Sequence, residues 1–219
     1  MKNLKNALLL KQLYLLKQLG YNYTSLSVFK EDDSFIELPN NLDKLKKQAE
    51  DCHLCQLSKS RSRVVFGSGN PNADIMFVGE APSATEDSTG KAFDGRSGEM
   101  LTKMVENVLK IPRKDIYVTN IVKCKPANNS KPNATQAHTC QSFLQKEIEL
   151  IKPKIIVALG EIAYHYLSGD DTELVKVRGT IHKNDKYTLI TTYHPSHLLR
   201  NPSDKQLVLE DLKKIKELL

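Results

Sequence analysis

Four short runs of apolar and β-branched residues punctuate the chain, at residues 73–78, 116–122, 154–159 and 187–192. Each is close to continuously apolar rather than alternating, which is the pattern of a strand buried on both faces. Between and after them the apolar spacing becomes helical, over residues 97–109, 135–151, 161–167 and 203–218. Strands alternating with helices predict an α/β fold with a central four-stranded parallel sheet, flanked by helices on both faces. No internal repeat interrupts this order.

Upstream, Leu9, Leu13 and Leu16 form one helical stripe, with Leu8, Leu15 and Leu19 beside it. Lys2 and Lys5 before Ala7-Leu8-Leu9-Leu10 have the look of an export signal, but Lys11 and Lys17 break the apolar core and no small-residue cleavage site follows. An amphipathic helix is the expectation, and with it a cytoplasmic, nucleoid-associated protein. A linker-like stretch ends at Leu38-Pro39-Asn40-Asn41, and residues 42–51 predict a helix. The expected organisation is an N-terminal helix and linker over residues 1–41, then one domain over 42–219. No apolar run reaches the ~20 residues of a membrane span.

In an open parallel sheet, ligands bind beyond the carboxyl ends of the strands. Those ends carry chemistry here. The first run leads into Gly79-Glu80-Ala81-Pro82, and the second ends in Asn120 before Lys123-Cys124-Lys125-Pro126. The third reaches Leu159-Gly160-Glu161, and the fourth Tyr193-His194-Pro195-Ser196. A carboxylate, an amide and an imidazole are thus expected along one edge. Gly90, Gly95 and Gly98 are expected in a loop able to close over them.

Composition is that of an ordinary folded protein, with 40% hydrophobic and 26% charged residues and no Trp. The net charge of +6 gains meaning from its placement. Arg61, Arg63, Lys91, Arg96, Lys123, Lys125, Lys131 and Arg200 lie in or beside loops rich in small residues, which can approach a phosphate backbone. The four cysteines are Cys52 and Cys55 in a C-x-x-C, then Cys124 and Cys140. Disulfides do not suit a reducing compartment, and a thioredoxin-like pair has no use for two further cysteines. Four thiolates suit a closed metal site, either four-sulfur zinc or an iron–sulfur cluster.

The segment Gly79-Glu80-Ala81-Pro82-Ser83-Ala84-Thr85-Glu86-Asp87, with Gly90-Lys91-Ala92-Phe93-Asp94-Gly95, resembles the first motif of the family 4 uracil-DNA glycosylases. The run from Tyr117 through Asn120 to Pro126 resembles their middle motif, and His194-Pro195-Ser196-His197-Leu198-Leu199-Arg200-Asn201-Pro202 their last. The cysteine spacing matches the iron–sulfur ligands of that family. The match runs in order from about Cys52 to Pro202. One departure is Ser83, where the family usually has Gly.

This resemblance implies a [4Fe-4S] cluster on Cys52, Cys55, Cys124 and Cys140, with zinc as the minor alternative. It implies hydrolysis of the N-glycosidic bond of uracil in DNA, which releases uracil, leaves an abasic site and begins base excision repair. The flipped base would meet Glu80, Ala81, Phe93, Asn120 and His194. Phe93 would stack on it, Asn120 would read its edge, and His194 would contact O2. Glu80, Glu86 and His194 are the expected catalytic groups, with Glu80 preferred for orienting water and Glu86 for the pocket wall. Ser196, Leu198 and Arg200 are expected at the DNA, Leu198-Leu199 as an apolar wedge beside the Arg200 cation. The alternative is a non-catalytic or covalent uracil-DNA binder of the same superfamily. Against it, the stretch after the middle motif is short, and His138 falls in an expected helix. Uracil-containing DNA is the expected partner of a monomer, and residues 1–40 offer a contact for a protein partner.

Overall fold

In a computed structural model, which describes residues 38–219, the four apolar runs become neighbouring parallel strands. The helix and most of the linker expected over residues 1–41 lie outside the described residues. The chain separates by its contacts into Met1–Glu37 and Leu38–Leu219, and only the second unit is described.

The strands are β1 (Ser68–Gly69), β2 (Ile75–Gly79), β3 (Tyr117–Asn120), β4 (Ile155–Leu159), β5 (Ile181–Lys183) and β6 (Thr188–Thr192). They form one six-stranded sheet in the order β1-β3-β2-β4-β6-β5. The inner four are parallel, while β1 and β5 add antiparallel at the edges. The expected sheet is therefore extended by one strand on each side. Both additions are very short and exposed, so burial leaves no apolar pattern in them to read.

The helices are α1 (Leu42–Glu50), α2 (Ala84–Thr89), α3 (Arg96–Met104), α4 (Ala134–Ile151), α5 (Glu161–Ser168), α6 (Leu174–Val177), α7 (Pro195–Arg200) and α8 (Lys205–Glu217). A wider π turn, Val105–Leu109, continues α3. Within each inner strand successive side chains point to opposite faces. Ile75, Phe77, Val118, Val157 and Ile190 pack with Leu101, Val105 and Leu212, from α3, the π turn and α8. Met76, Val78, Tyr117, Ile156 and Leu189 pack with Leu144, Ala163 and Tyr164, from α4 and α5. Both faces are covered, which is why the runs are continuously apolar. No helix among the described residues is long and apolar enough to cross a membrane.

Two expectations about surface residues are corrected. Lys123 is 2% exposed and pairs with the buried Glu147, so it does not reach toward a phosphate. Leu198 is likewise 2% exposed and packs into the α3–α8 core. An apolar wedge at that position has no exposed tip, because α7 turns the Leu198 side chain inward. The glycine loop also differs. Gly90 ends α2, Gly95 begins α3 and Gly98 lies inside it, so this stretch is a tight connection between two helices.

Candidate active site and cysteine cluster

The register of the sheet brings the expected residues to one edge. Gly79 lies opposite Asn120 across β2 and β3, and Leu159 lies opposite Thr192 across β4 and β6. The β2–β3 pairing continues past the strands, with Ile121 N donating to Gly79 O at 2.9 Å and Val122 N to Glu80 O at 3.2 Å. Glu80 is therefore held by its backbone beside Asn120.

Side chains converge above this edge. A Cβ on Gly79 would fall 2.4 Å from Asn120 Oδ1 and 2.8 Å from Phe93 Cζ. The amide and the ring thus meet over a backbone that must be glycine. The Phe93 ring lies 5.9 Å from the His194 ring, tilted by 32°. Asn120 is 1% exposed, and its Nδ2 has no hydrogen-bond partner. An unpaired buried donor costs about 1–3 kcal/mol, so this amide is set to receive an acceptor.

Phe93 is held in place by its own main chain. It has φ 53°, in the left-handed region, and its N–H donates to Glu86 Oε1 at 2.5 Å. A Cβ on Gly98 would fall 1.6 Å from Phe93 O, so α3 can pass there only as glycine. Glu86 Oε2 accepts from Ser83 N at 2.8 Å, while Ser83 Oγ accepts from Glu86 N at 3.4 Å. This reciprocal cap starts α2. It gives a reason for Ser83 where glycine is usual, since φ is an ordinary −76° and the hydroxyl caps the helix. Both Glu86 oxygens accept from backbone, so the carboxylate acts on the pocket through Phe93. Asp87 accepts from Ser62 N and Arg63 N and anchors the segment that follows the C-x-x-C.

The electrostatics divide the two remaining groups. Burial raises the Glu80 carboxyl above its ordinary value, with Lys131 pulling the other way. His194 is half-buried, and desolvation, with Arg200 adding positive charge nearby, pushes its imidazole down to about 4. His194 Nδ1 accepts from Ser196 N at 3.1 Å and faces Ser196 Oγ at 2.7 Å. A backbone N–H can only donate, so Nδ1 carries no proton. The neutral ring therefore keeps its hydrogen on Nε2, leaving that nitrogen as a donor. Ser196 thus fixes the tautomer of His194. Ala81 is half-buried against the α4–α5 core, and Arg200 is exposed.

The four cysteines are free and line one cavity, with Ala49, Leu57, Arg61 and Phe143 also in its wall. Arg61 Nη1 donates to Cys124 Sγ at 3.2 Å, and Lys123 N donates to Cys140 Sγ at 3.3 Å. Donors aimed at sulfur stabilise thiolates. Burial raises the Cys124 thiol and pushes the Cys140 thiol up to about 12, so thiolates need such donors and a bound cation. Among the described residues, no three His, Cys, Asp or Glu side chains close around a single-ion position. Arg61, expected among the phosphate-facing cations, spans Cys124 and Glu50 O. Nothing in the sequence beyond its proximity to the C-x-x-C could have signalled that contact.

A family model described as the uracil DNA glycosylase superfamily matches residues 66–215. The chain is 40% identical over 179 residues to a type-4 uracil-DNA glycosylase of Thermotoga maritima, covering 80% of this chain and 93% of that protein. It is 38% identical over 187 residues to a type-4 uracil-DNA glycosylase of Sulfurisphaera tokodaii, covering 82% and 85%. A type-5 uracil-DNA glycosylase of Pyrobaculum aerophilum is 32% identical over 164 residues, covering 67% and 71%.

The geometry at His194 predicts one side-chain signal. In 15N NMR, one histidine, assigned by its loss in His194→Ala, should remain neutral with its proton on Nε2 down to about pH 4. An Nδ1-protonated neutral ring would contradict the Ser196 contact, and titration in the ordinary histidine range would contradict the desolvation of the ring.

Proposed function

The chain belongs to the uracil DNA glycosylase superfamily, and we propose from this premise how its residues excise uracil from DNA. It is a hydrolase of N-glycosyl bonds that releases free uracil and leaves an abasic site. The observation that carries the reading is the meeting of Asn120 and Phe93 above Gly79, with the His194 ring beside Phe93.

The target nucleotide leaves the stack to be reached. Phe93, fixed through Glu86, stacks on the extruded base. Asn120 accepts from N3–H and donates its unpartnered Nδ2 to O4, a pattern that cytosine cannot meet. Ala81 adds to the wall of the pocket. As the C1′–N1 bond breaks, its electron pair moves onto the base, and His194 Nε2–H donates to O2 where charge accumulates. A neutral imidazole held at that point favours the transition state without first binding a proton. Glu80 orients a water, whose oxygen bonds to C1′ while its proton passes to the carboxylate. Arg200 and Ser196 lie on α7 near the base and contact the backbone of the extruded strand.

Cys52, Cys55, Cys124 and Cys140 would hold a [4Fe-4S] cluster. The four cysteines line one cavity and donors reach Cys124 and Cys140, which supports a thiolate-held group; the likeness of their spacing to the type-4 family favours a cluster over zinc. When bound, the cluster supplies a cross-link between the segment after α1, the segment after β3 and α4, and takes no part in the hydrolysis. Covalent capture finds no support, because His138 is on α4 with its ring edge-on to Tyr166. The protein is read as a monomer working in the cytoplasm at the nucleoid. Residues 1–40 are left for a protein partner.

The full chain should release uracil over many turnovers from a uracil-containing oligonucleotide. Asn120→Ala should lose about a hundredfold or more of that rate while keeping its affinity for DNA; unchanged release would remove Asn120 from the pocket. On the acid side, kcat/KM should fall as pH drops through the raised Glu80 value, because only the carboxylate accepts the water's proton. This limb should lie above the ordinary carboxylate range and vanish in Glu80→Gln. Cys124→Ser should bleach the visible absorption, lower iron content and lower the thermal midpoint; a colourless parent chain containing zinc would overturn the cluster assignment.

A further inference from the structure

Directly beneath Asn120 lies an ion pair that the site as expected from sequence does not contain. Lys123 is 2% exposed and Glu147 is fully buried. Lys123 Nζ pairs with Glu147 Oε2, and donates to Thr119 Oγ1 at 2.6 Å and to the Asn120 carbonyl at 2.9 Å. Glu147 Oε1 accepts from the Tyr117 hydroxyl at 2.9 Å and from Gly67 N at 3.1 Å. Strand β3 is thus gripped at Tyr117, Thr119 and Asn120 by one carboxylate–ammonium pair. The backbone of the same lysine donates to Cys140 Sγ, so Lys123 touches a cysteine of the cavity with its main chain and the base-reading residue with its side chain.

A buried ion pair is a weak source of stability, since desolvation offsets most of the attraction and a well-packed apolar pair of similar volume often serves as well. Stability alone therefore gives little reason for this one. What an apolar pair cannot do is hold the Asn120 carbonyl by a charge-assisted hydrogen bond. The amide of Asn120 must face the base within a few tenths of an ångström to read it, and sites so built need their supporting groups locked.

We propose that Lys123 and Glu147 are positioning residues for uracil recognition, which fix the end of β3 so that the Asn120 amide is preorganised for the flipped base. The inference rests on the reading of Asn120 given above. Neither residue touches the substrate. The pair sets the rate of the bond-breaking step through the placement of Asn120, and leaves the affinity for the DNA backbone alone.

The test is single-turnover uracil release at saturating enzyme, with the full chain and the double variant Lys123→Met/Glu147→Gln, which removes both charges and keeps the shapes close. At saturating enzyme the observed rate constant does not depend on the fraction of enzyme that is folded, so it reports the geometry of the site. A rate constant at least tenfold lower is expected, with unchanged affinity for an abasic duplex and unchanged visible absorption. A rate constant equal to that of the unaltered chain, whatever the amplitude, overturns the proposal. If the double variant does not fold, Thr119→Val removes the hydroxyl between the two charges without burying a new one. A rate constant at least threefold lower is then expected, and an unchanged one overturns the proposal. Absence of uracil release from the unaltered chain would instead defeat the functional reading itself.

Discussion

The parallel pairing of β2 with β3 sets Gly79 opposite Asn120, with no room for a side chain between the amide and the Phe93 ring. The arrangement of the site follows from that register. A slip of one residue would turn Asn120 to the other face of the sheet. A Cβ at Gly79 would push apart the Asn120 amide and the Phe93 ring. Because β2, β3, β4 and β6 end nearly level, His194 arrives at the same edge from the far side of β4, and Glu80 begins the bend that directly follows β2.

Around this edge each polar group is committed in a way that leaves one function free. Ser196 occupies Nδ1 of His194, and Nε2 remains a donor. Backbone donors occupy both oxygens of Glu86, and the Phe93 ring is thereby held. The buried ammonium of Lys123 occupies the carbonyl of Asn120, while Nδ2 stays unpaired. The unsatisfied amide and the left-handed Phe93 are both unfavourable locally. Local rules tend to be broken where a fold keeps its function, and the capped, well-packed elements around the site sustain the cost.

The connection from Asn120 to Cys124 is short, and Lys123 within it lines the cysteine cavity and holds the main-chain carbonyl of Asn120. Arg61 and Asp87 tie the segment after the C-x-x-C to the cavity and to α2. A cluster at the cysteines would then brace the same backbone that presents the Asn120 amide.

The apolar runs and helical spacings of the sequence were enough for the inner strands and the longer helices, because burial on two faces and helical periodicity leave a direct imprint on residue order. Strand ends also pointed to Glu80, Asn120 and His194 as candidates, and cysteine spacing grouped the four cysteines, since both are linear features; Phe93 was named only through the family resemblance. The edge strands, α2 and α7 were not legible: they are short, and caps and turns rather than apolar pattern define them. The burial of Lys123 and Leu198 and the commitment of Glu86 to backbone donors were decided only in three dimensions. A lysine in a loop-like sequence reads as solvated, and nothing near it in the chain announces Glu147, 24 positions away. Burial, strand order and pairing between distant residues belong to the packed fold, whereas the positions of the inner strands and the spacing of the cysteines are already written in the chain.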